Sequence, residues 1–301
     1  MKIDWKGVFP AVTTLMKDDG KVDLDATGQH VSFLIESGVH GLVMLGTVGE
    51  NTSLSKDEKI SVVEAALEAA GGRVPVISGV AEYTTALGCE YANACKTVGV
   101  DGLMALPGMV YKADEREVIS HFRSIANATD LPVMIYNNPV AYGIDVVPES
   151  FAQLEDLETI VAIKESSERT KRIVDLTNLY GDRFVLFCGV DDVVVESVAN
   201  GALGWVSGLV NAFPEESVRL FELAGSARLD EAQDIYRWFM PLLHLDTYPK
   251  LVQYIKLVQH LVLGSSEVVR TPRLTIGGDE RRWIETMVEK ALAGRPLVHV
   301  S

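Results

Sequence analysis

Ile160-Val161-Ala162-Ile163-Lys164-Glu165-Ser166-Ser167 is an apolar β-type run that carries an ammonium at its carboxyl end. Apolar residues in succession, without in/out alternation, are what a strand of a parallel sheet covered on both faces requires. A lysine closing such a strand lies at the mouth of a sheet or barrel, partly out of water. Desolvation there disfavours the charged form and lowers a pKa that is about 10.4 in model peptides. The neutral amine is a nucleophile whose usual task is a Schiff base, which makes the neighbouring carbon acidic without metal or cofactor. Taken alone, the octapeptide more often describes a strand-end lysine that snorkels to water and pairs with Glu165.

Working outward, this strand is the sixth of eight. Similar short apolar runs are predicted at 8–15, 41–46, 74–80, 102–107, 132–136, 184–189 and 204–208. Helical periodicity separates them: 23–37, then a segment opened by a Ser55/Glu58 capping box and running to about 70, then 84–98 and 114–128, and a helix beginning at Pro148. Eight βα units of similar length predict a (β/α)8 TIM barrel over residues 1–225. The doubly wound sheet is the rival architecture, but no glycine-rich dinucleotide fingerprint follows the first strand. Beyond 225 the strands stop. Residues 229–243, 247–263 and 278–293 read as helices with no linker before them, so 226–301 is expected to be a three-helix C-terminal extension packed on the barrel.

The chain's 301 residues are 48% apolar, enough for a large core, and carry a net charge of −15 with a pI near 4.8. Such a balance leaves no footprint for nucleic acid or an anionic membrane, so a small-molecule partner is expected. Residues 1–19 resemble neither a signal peptide nor a transit peptide, and no apolar stretch approaches membrane-spanning length. Cys89, Cys95 and Cys188 form no CxxC pair, which fits reduced thiols and a cytoplasmic location. The six histidines, His30, His40, His121, His244, His260 and His299, show no paired ligand spacing, and no GxSxG elbow or P-loop is present. Neither a metal nor another cofactor is expected.

In a barrel of this kind the residues just past each strand decide the chemistry. Gly46-Thr47-Val48-Gly49-Glu50-Asn51 follows strand two: two glycines flanking a threonine let N–H groups converge into a nest for a carboxylate, although the same residues also make an ordinary tight turn. Tyr136 ends strand five, where a phenol either shuttles protons or packs at the rim. Asp191 and Asp192 follow strand seven, where their carboxylates either orient the site or start the next helix; the cap is the favoured expectation.

Gly46-Thr47-Val48-Gly49-Glu50, Tyr136-Asn137-Asn138-Pro139 and Ile163-Lys164-Glu165-Ser166-Ser167, in this order and spacing, resemble the family of dihydrodipicolinate synthase and N-acetylneuraminate lyase. The resemblance spans nearly the whole chain and implies a TIM barrel, Schiff-base chemistry on 2-oxo acids or related imines, and a homotetramer. It implies Lys164 as the Schiff-base lysine, Tyr136 as the proton shuttle, and Gly46, Thr47 and Val48 as substrate-binding positions.

The departures narrow the reaction. Dihydrodipicolinate synthases carry a second threonine where this chain has Val48, an arginine where it has Ala141, and paired tyrosines where it has Gly108 and Met109; whether Tyr111 substitutes is left open. Residues 136–143 and 239–246 are more similar to the bacterial branch that deaminates Δ1-pyrroline-4-hydroxy-2-carboxylate, giving 2-oxoglutarate semialdehyde and ammonia in hydroxyproline breakdown. A retro-aldolase or dehydratase for 2-keto-3-deoxy sugar acids, a dihydrodipicolinate synthase-like enzyme, and a non-catalytic binding barrel are the alternatives.

Overall fold

The computed structural model describes residues 3–108 and 110–297. Met109 and His299 therefore lie outside the described residues. Eight strands, β1 Gly7–Pro10, β2 Leu42–Met44, β3 Val76–Val80, β4 Gly102–Ala105, β5 Val133–Asn137, β6 Ile160–Glu165, β7 Val185–Cys188 and β8 Gly204–Ser207, pair in parallel in the order β1-β8-β7-β6-β5-β4-β3-β2. The ring closes where Ala11 bridges Val43 and the Val12 N–H donates to the Val43 carbonyl at 2.9 Å. This is the (β/α)8 barrel that the strand count predicts.

Helices follow the strands: α1 Leu24–Glu36, α2 Lys56–Ala70, α3 Thr85–Val98, α4 Glu115–Asn127, α5 Pro139–Tyr142, α6 Lys171–Tyr180, α7 Val194–Ala199 and α8 Pro214–Gly225. Ser55 and Glu58 form the predicted capping box at the start of α2, and Asp114 with Glu117 forms another on α4. Strands β1, β2 and β4 end two or more residues earlier than expected. In β1 backbone bonding continues through Ala11 and Val12, and beyond them side chains claim the backbone: Thr13 N–H donates to Asn211 Oδ1 at 3.2 Å and Leu15 N–H to Thr27 Oγ1 at 3.2 Å. Strand β2 stops at Met44 because Leu45 turns to φ 55°. The helix expected at Pro148 is a 3-10 segment, Pro148–Gln153, and the unforeseen single turn α5 precedes it, capped by Asn138 Oδ1 accepting from Ala141 N–H at 2.9 Å.

Three further helices complete the chain, α9 Leu229–Leu243, α10 Leu251–Leu263 and α11 Gly278–Ala293. Helix α10 starts four residues later than expected because His244–Thr247 form a 3-10 turn. Its Lys256, wholly buried, donates to Glu50 Oε1 at 2.8 Å, to the Thr14 carbonyl at 2.9 Å and to the Val268 carbonyl at 2.5 Å. Glu50 Oε2 in turn accepts from Arg270 N–H at 2.9 Å, and Thr13 Oγ1 donates to Gln259 Oε1 at 2.7 Å. These bonds tie α10 to the carboxyl ends of β1 and β2. No helix among the described residues is long and apolar enough to cross a membrane.

Candidate active site

Parallel register places Tyr136 of β5 beside Lys164 of β6, and Lys164 beside Phe187 of β7. Neighbours in register share a face, so the phenol and the amine project together. Lys164 is 5% exposed, and its Nζ lies 4.0 Å from the centroid of the Tyr136 ring. The period-two alternation sends Glu165 the other way: Oε2 accepts from Asn137 Nδ2 at 3.0 Å and Oε1 from Ser167 N–H at 2.7 Å. A Lys164–Glu165 pair is therefore not formed, and Lys164 makes no salt bridge among the described residues. Burial drives the Lys164 pKa below its ordinary value, opposed chiefly by the nearby charge of Asp246. Burial thus shifts the amine toward its neutral, nucleophilic form, against the pull of Asp246.

Burial pushes the Tyr136 hydroxyl up to about 12, although it receives a hydrogen bond from Asn138 Nδ2 at 3.0 Å. At neutral pH it is a phenol, able to donate. The turn after β2 reaches the same place. It is bracketed by two residues in the left-handed region, Leu45 and Glu50, both at φ 55°. Such backbone persists only when its surroundings hold it. Here Asn51 Nδ2 donates to the Leu45 carbonyl at 2.9 Å and to the Gly79 carbonyl at 3.0 Å, while Glu50 is locked by Lys256. Within the turn, the Thr47 and Val48 N–H groups meet no protein acceptor among the described residues, which leaves them free for an anion.

One participant escaped the sequence reading. Tyr142, carried inward by α5, hydrogen-bonds through its hydroxyl to Thr47 Oγ1, and its ring meets Tyr136 edge-on at 5.7 Å and 88°. Burial raises its pKa far above the usual phenol range. The signal that could have found it is Asn138-Pro139, an N-cap followed by the favoured first helical residue, which folds the chain back over the strand end. Ala141, in the lining of both spaces, has only a methyl to present.

A second unforeseen group comes from the extension. Asp246, on the 3-10 turn before α10, accepts the Asp191 N–H through Oδ2 at 3.3 Å. Burial pushes its carboxyl up to about 6, with the Lys164 charge opposing. Asp191 itself is no helix cap. Wholly buried, it accepts from Trp205 Nε1 at 3.1 Å and from Leu209 N–H at 3.2 Å, stitching β7 to β8, and burial together with Asp246 raises its pKa.

These side chains surround an open cavity of about 350 Å3, whose wall includes Thr47, Tyr142, Ser166, Glu168, Asp246 and Tyr248. A recess of about 40 Å3 below it is lined by Gly46, Thr47, Val48, Tyr136, Lys164 and Asp246. All five predicted site residues thus converge on one recess. Lys164 is the one cationic side chain in the described lining, against the carboxyls of Glu168 and Asp246. Tyr111 is 60% exposed, and neither it nor Gly108 belongs to the lining. Among the described residues no group of three or more His, Cys, Asp or Glu side chains is placed to hold a metal ion.

Comparison with known proteins agrees with this geometry. The profile of the Dihydrodipicolinate synthetase family matches residues 4–291. A 4-hydroxy-tetrahydrodipicolinate synthase of Methanothrix thermoacetophila is 32% identical over 249 residues, covering 81% of this chain and 84% of that protein. 4-Hydroxy-tetrahydrodipicolinate synthase 1 of Halalkalibacterium halodurans is 31% identical over 284 residues, covering 93% and 95%. The crystal structure of a putative dihydrodipicolinate synthetase from Pseudomonas aeruginosa superposes with a TM-score of 0.90 at 29% identity, covering 96% of this chain and 100% of that one. With a lysine at the end of β6 and a match over nearly its full length, the chain belongs to the dihydrodipicolinate synthetase family of Schiff-base-forming lyases.

Proposed function

We propose that the protein is a Schiff-base deaminase that converts Δ1-pyrroline-4-hydroxy-2-carboxylate to 2-oxoglutarate semialdehyde and ammonia. The observation that carries this reading is the charge inventory of the cavity: one cation, two carboxyls and no arginine in the described lining. A dicarboxylate drawn out of water needs a partner for each charge. The free N–H groups of Thr47 and Val48 serve one carboxylate, and Ala141 adds no second anion site to the lining. A cyclic imine with a single carboxylate and a basic nitrogen fits that wall.

In this reading the substrate carboxylate rests on the Gly46-Thr47-Val48 turn and C2 faces Lys164. The amine attacks C2, the ring opens by transimination, and the resulting iminium acidifies C3. Loss of a C3 proton expels the C4 hydroxyl as water. Tautomerisation makes C5 an imine; its hydrolysis releases ammonia, and hydrolysis at Lys164 frees the semialdehyde. Tyr136 exchanges protons with the adduct, and Thr47 with Tyr142 steadies the carboxylate end.

Part of the same proposal is a barrel, 1–225, acting as one unit with its extension, 226–301, supported by the buried Lys256–Glu50 pair. Assembly as a homotetramer is also carried forward, to be checked by light scattering of the purified chain. The activity test is ammonia release from Δ1-pyrroline-4-hydroxy-2-carboxylate by wild type, Lys164→Ala and a no-enzyme blank. Lysine-dependent ammonia with 2-oxoglutarate semialdehyde is the expected result. No ammonia above the blank, from protein that traps a 2-oxo acid with borohydride, would overturn it.

A further inference from the structure

We propose that Asp246 is the acid that protonates the substrate nitrogen as the ring opens on Lys164, and that its carboxylate then holds the amine so released. This rests on the deaminase reading and assigns a catalytic residue to the C-terminal extension. Three features of the structure lead to it.

First, Asp246 lines both the outer cavity and the recess that contains Lys164. Second, it is aimed. Asp191 N–H holds Oδ2 at 3.3 Å, and Oδ1 accepts no hydrogen bond among the described residues, which leaves that oxygen available to a ligand. Third, the other carboxyls are unsuited. Asp191 is spent on Trp205 and Leu209, Asp192 pairs with His244 Nδ1 at 2.8 Å, and Glu168 lines only the outer cavity. Glu165 faces away on the opposite side of β6.

The proton count requires such a group. Attack of neutral Nζ on C2 forms one C–N bond, and departure of the ring nitrogen breaks another. The leaving nitrogen needs two protons to become an amine. One comes from Nζ and one from the Asp246 carboxyl, leaving a protonated Schiff base beside a carboxylate. With Asp246 protonated, Nζ, the ring imine and the carboxyl enter the step uncharged; after it the positive iminium and the negative Asp246 balance. A carboxyl whose proton is held more tightly than usual, because burial opposes its ionisation, is suited to supplying it near neutral pH. Lys164, Asp191, Asp192 and Glu168 are the charged groups that act on it.

The test compares wild type, Asp246→Asn and Asp246→Glu in two assays: ammonia release from Δ1-pyrroline-4-hydroxy-2-carboxylate, and borohydride trapping of pyruvate on Lys164. Pyruvate is an open-chain 2-oxo acid with no ring nitrogen to protonate. The expected result is a loss of about 10²-fold or more in ammonia release for Asp246→Asn, with partial recovery in Asp246→Glu, and no loss of pyruvate trapping that matches it in either variant. Equal ammonia release by wild type and Asp246→Asn refutes the role of Asp246 while leaving the deaminase standing. Parallel loss of trapping in Asp246→Asn refutes it too, by making the residue a support for Lys164. Wild type that traps pyruvate and releases no ammonia removes the deaminase reading and this proposal with it.

Discussion

Gly189 follows β7 and faces the lysine across the strand. A Cβ built on it would sit 2.7 Å from Lys164 Cε and Cγ, and 1.9 Å from Ser166 Oγ. Carbon atoms in ordinary contact stay at 3.4 Å or beyond, so alanine at 189 overlaps the lysine stem by 0.7 Å. The stem is hemmed in by Tyr136 on one side and by the register with Phe187 on the other, so the amine is displaced along the cavity. A misplacement near 1 Å costs about 10²-fold in a reaction that depends on alignment, and overpacking of this kind costs about 1–3 kcal/mol of stability. The assay is the rate of borohydride-trapped pyruvate adduct on Gly189→Ala against wild type, read by intact mass, with thermal melting alongside. Expected are a folded protein with a lowered melting temperature and trapping slowed about 10²-fold. Trapping at the wild-type rate by a folded variant would refute the placement of Lys164 against β7.

Tyr142→Phe removes the hydroxyl bonded to Thr47 and leaves the ring that packs on Tyr136. Turnover should fall about tenfold, the kinetic equivalent of one hydrogen bond of about 1.4 kcal/mol, with little change in melting temperature; steady-state kinetics with separate kcat and KM check it. Lys256→Met leaves Glu50 buried without its ammonium and should cost about 3–5 kcal/mol in urea unfolding, the double variant with Glu50→Gln costing less. Asp246 adds a pH-dependent term to stability. Its folded pKa of about 6 lies above the ordinary carboxylate value of 3.8, so the native state binds the proton more tightly and stability falls as pH rises between those values. The shift corresponds to about 3 kcal/mol, which partial exposure to the cavity reduces to about 1–2 kcal/mol. Asp246→Asn should therefore melt higher than wild type at pH 7.5 and show no gain at pH 3.5, as scanning calorimetry across that range will reveal.

Much of the molecule is legible along the chain. Eight apolar runs separated by helical periodicity specify a barrel because alternation and its absence are local consequences of which faces are covered, and Ser55 with Glu58 marks a helix start by chemistry confined to four residues. Lys164, Tyr136 and the Gly46-Thr47-Val48 turn are legible for the same reason, since a polar residue at the carboxyl end of a barrel strand is already at the mouth. The direction of Glu165 also follows from strand alternation. Tyr142 and Asp246 are different. Tyr142 enters the site only because a single helical turn reverses the chain after β5, and Asp246 only because α10 is pinned to the β2 turn by the buried Lys256–Glu50 pair. Asp191, which reads as a cap, is drawn instead to the Trp205 indole of the next strand. The barrel and the place of Lys164 at its mouth follow from strand period and strand-end position, which are local; which distant hydroxyl and carboxyl share the cavity follows from packing and burial, which join Thr47 to Tyr142 and Lys164 to Asp246.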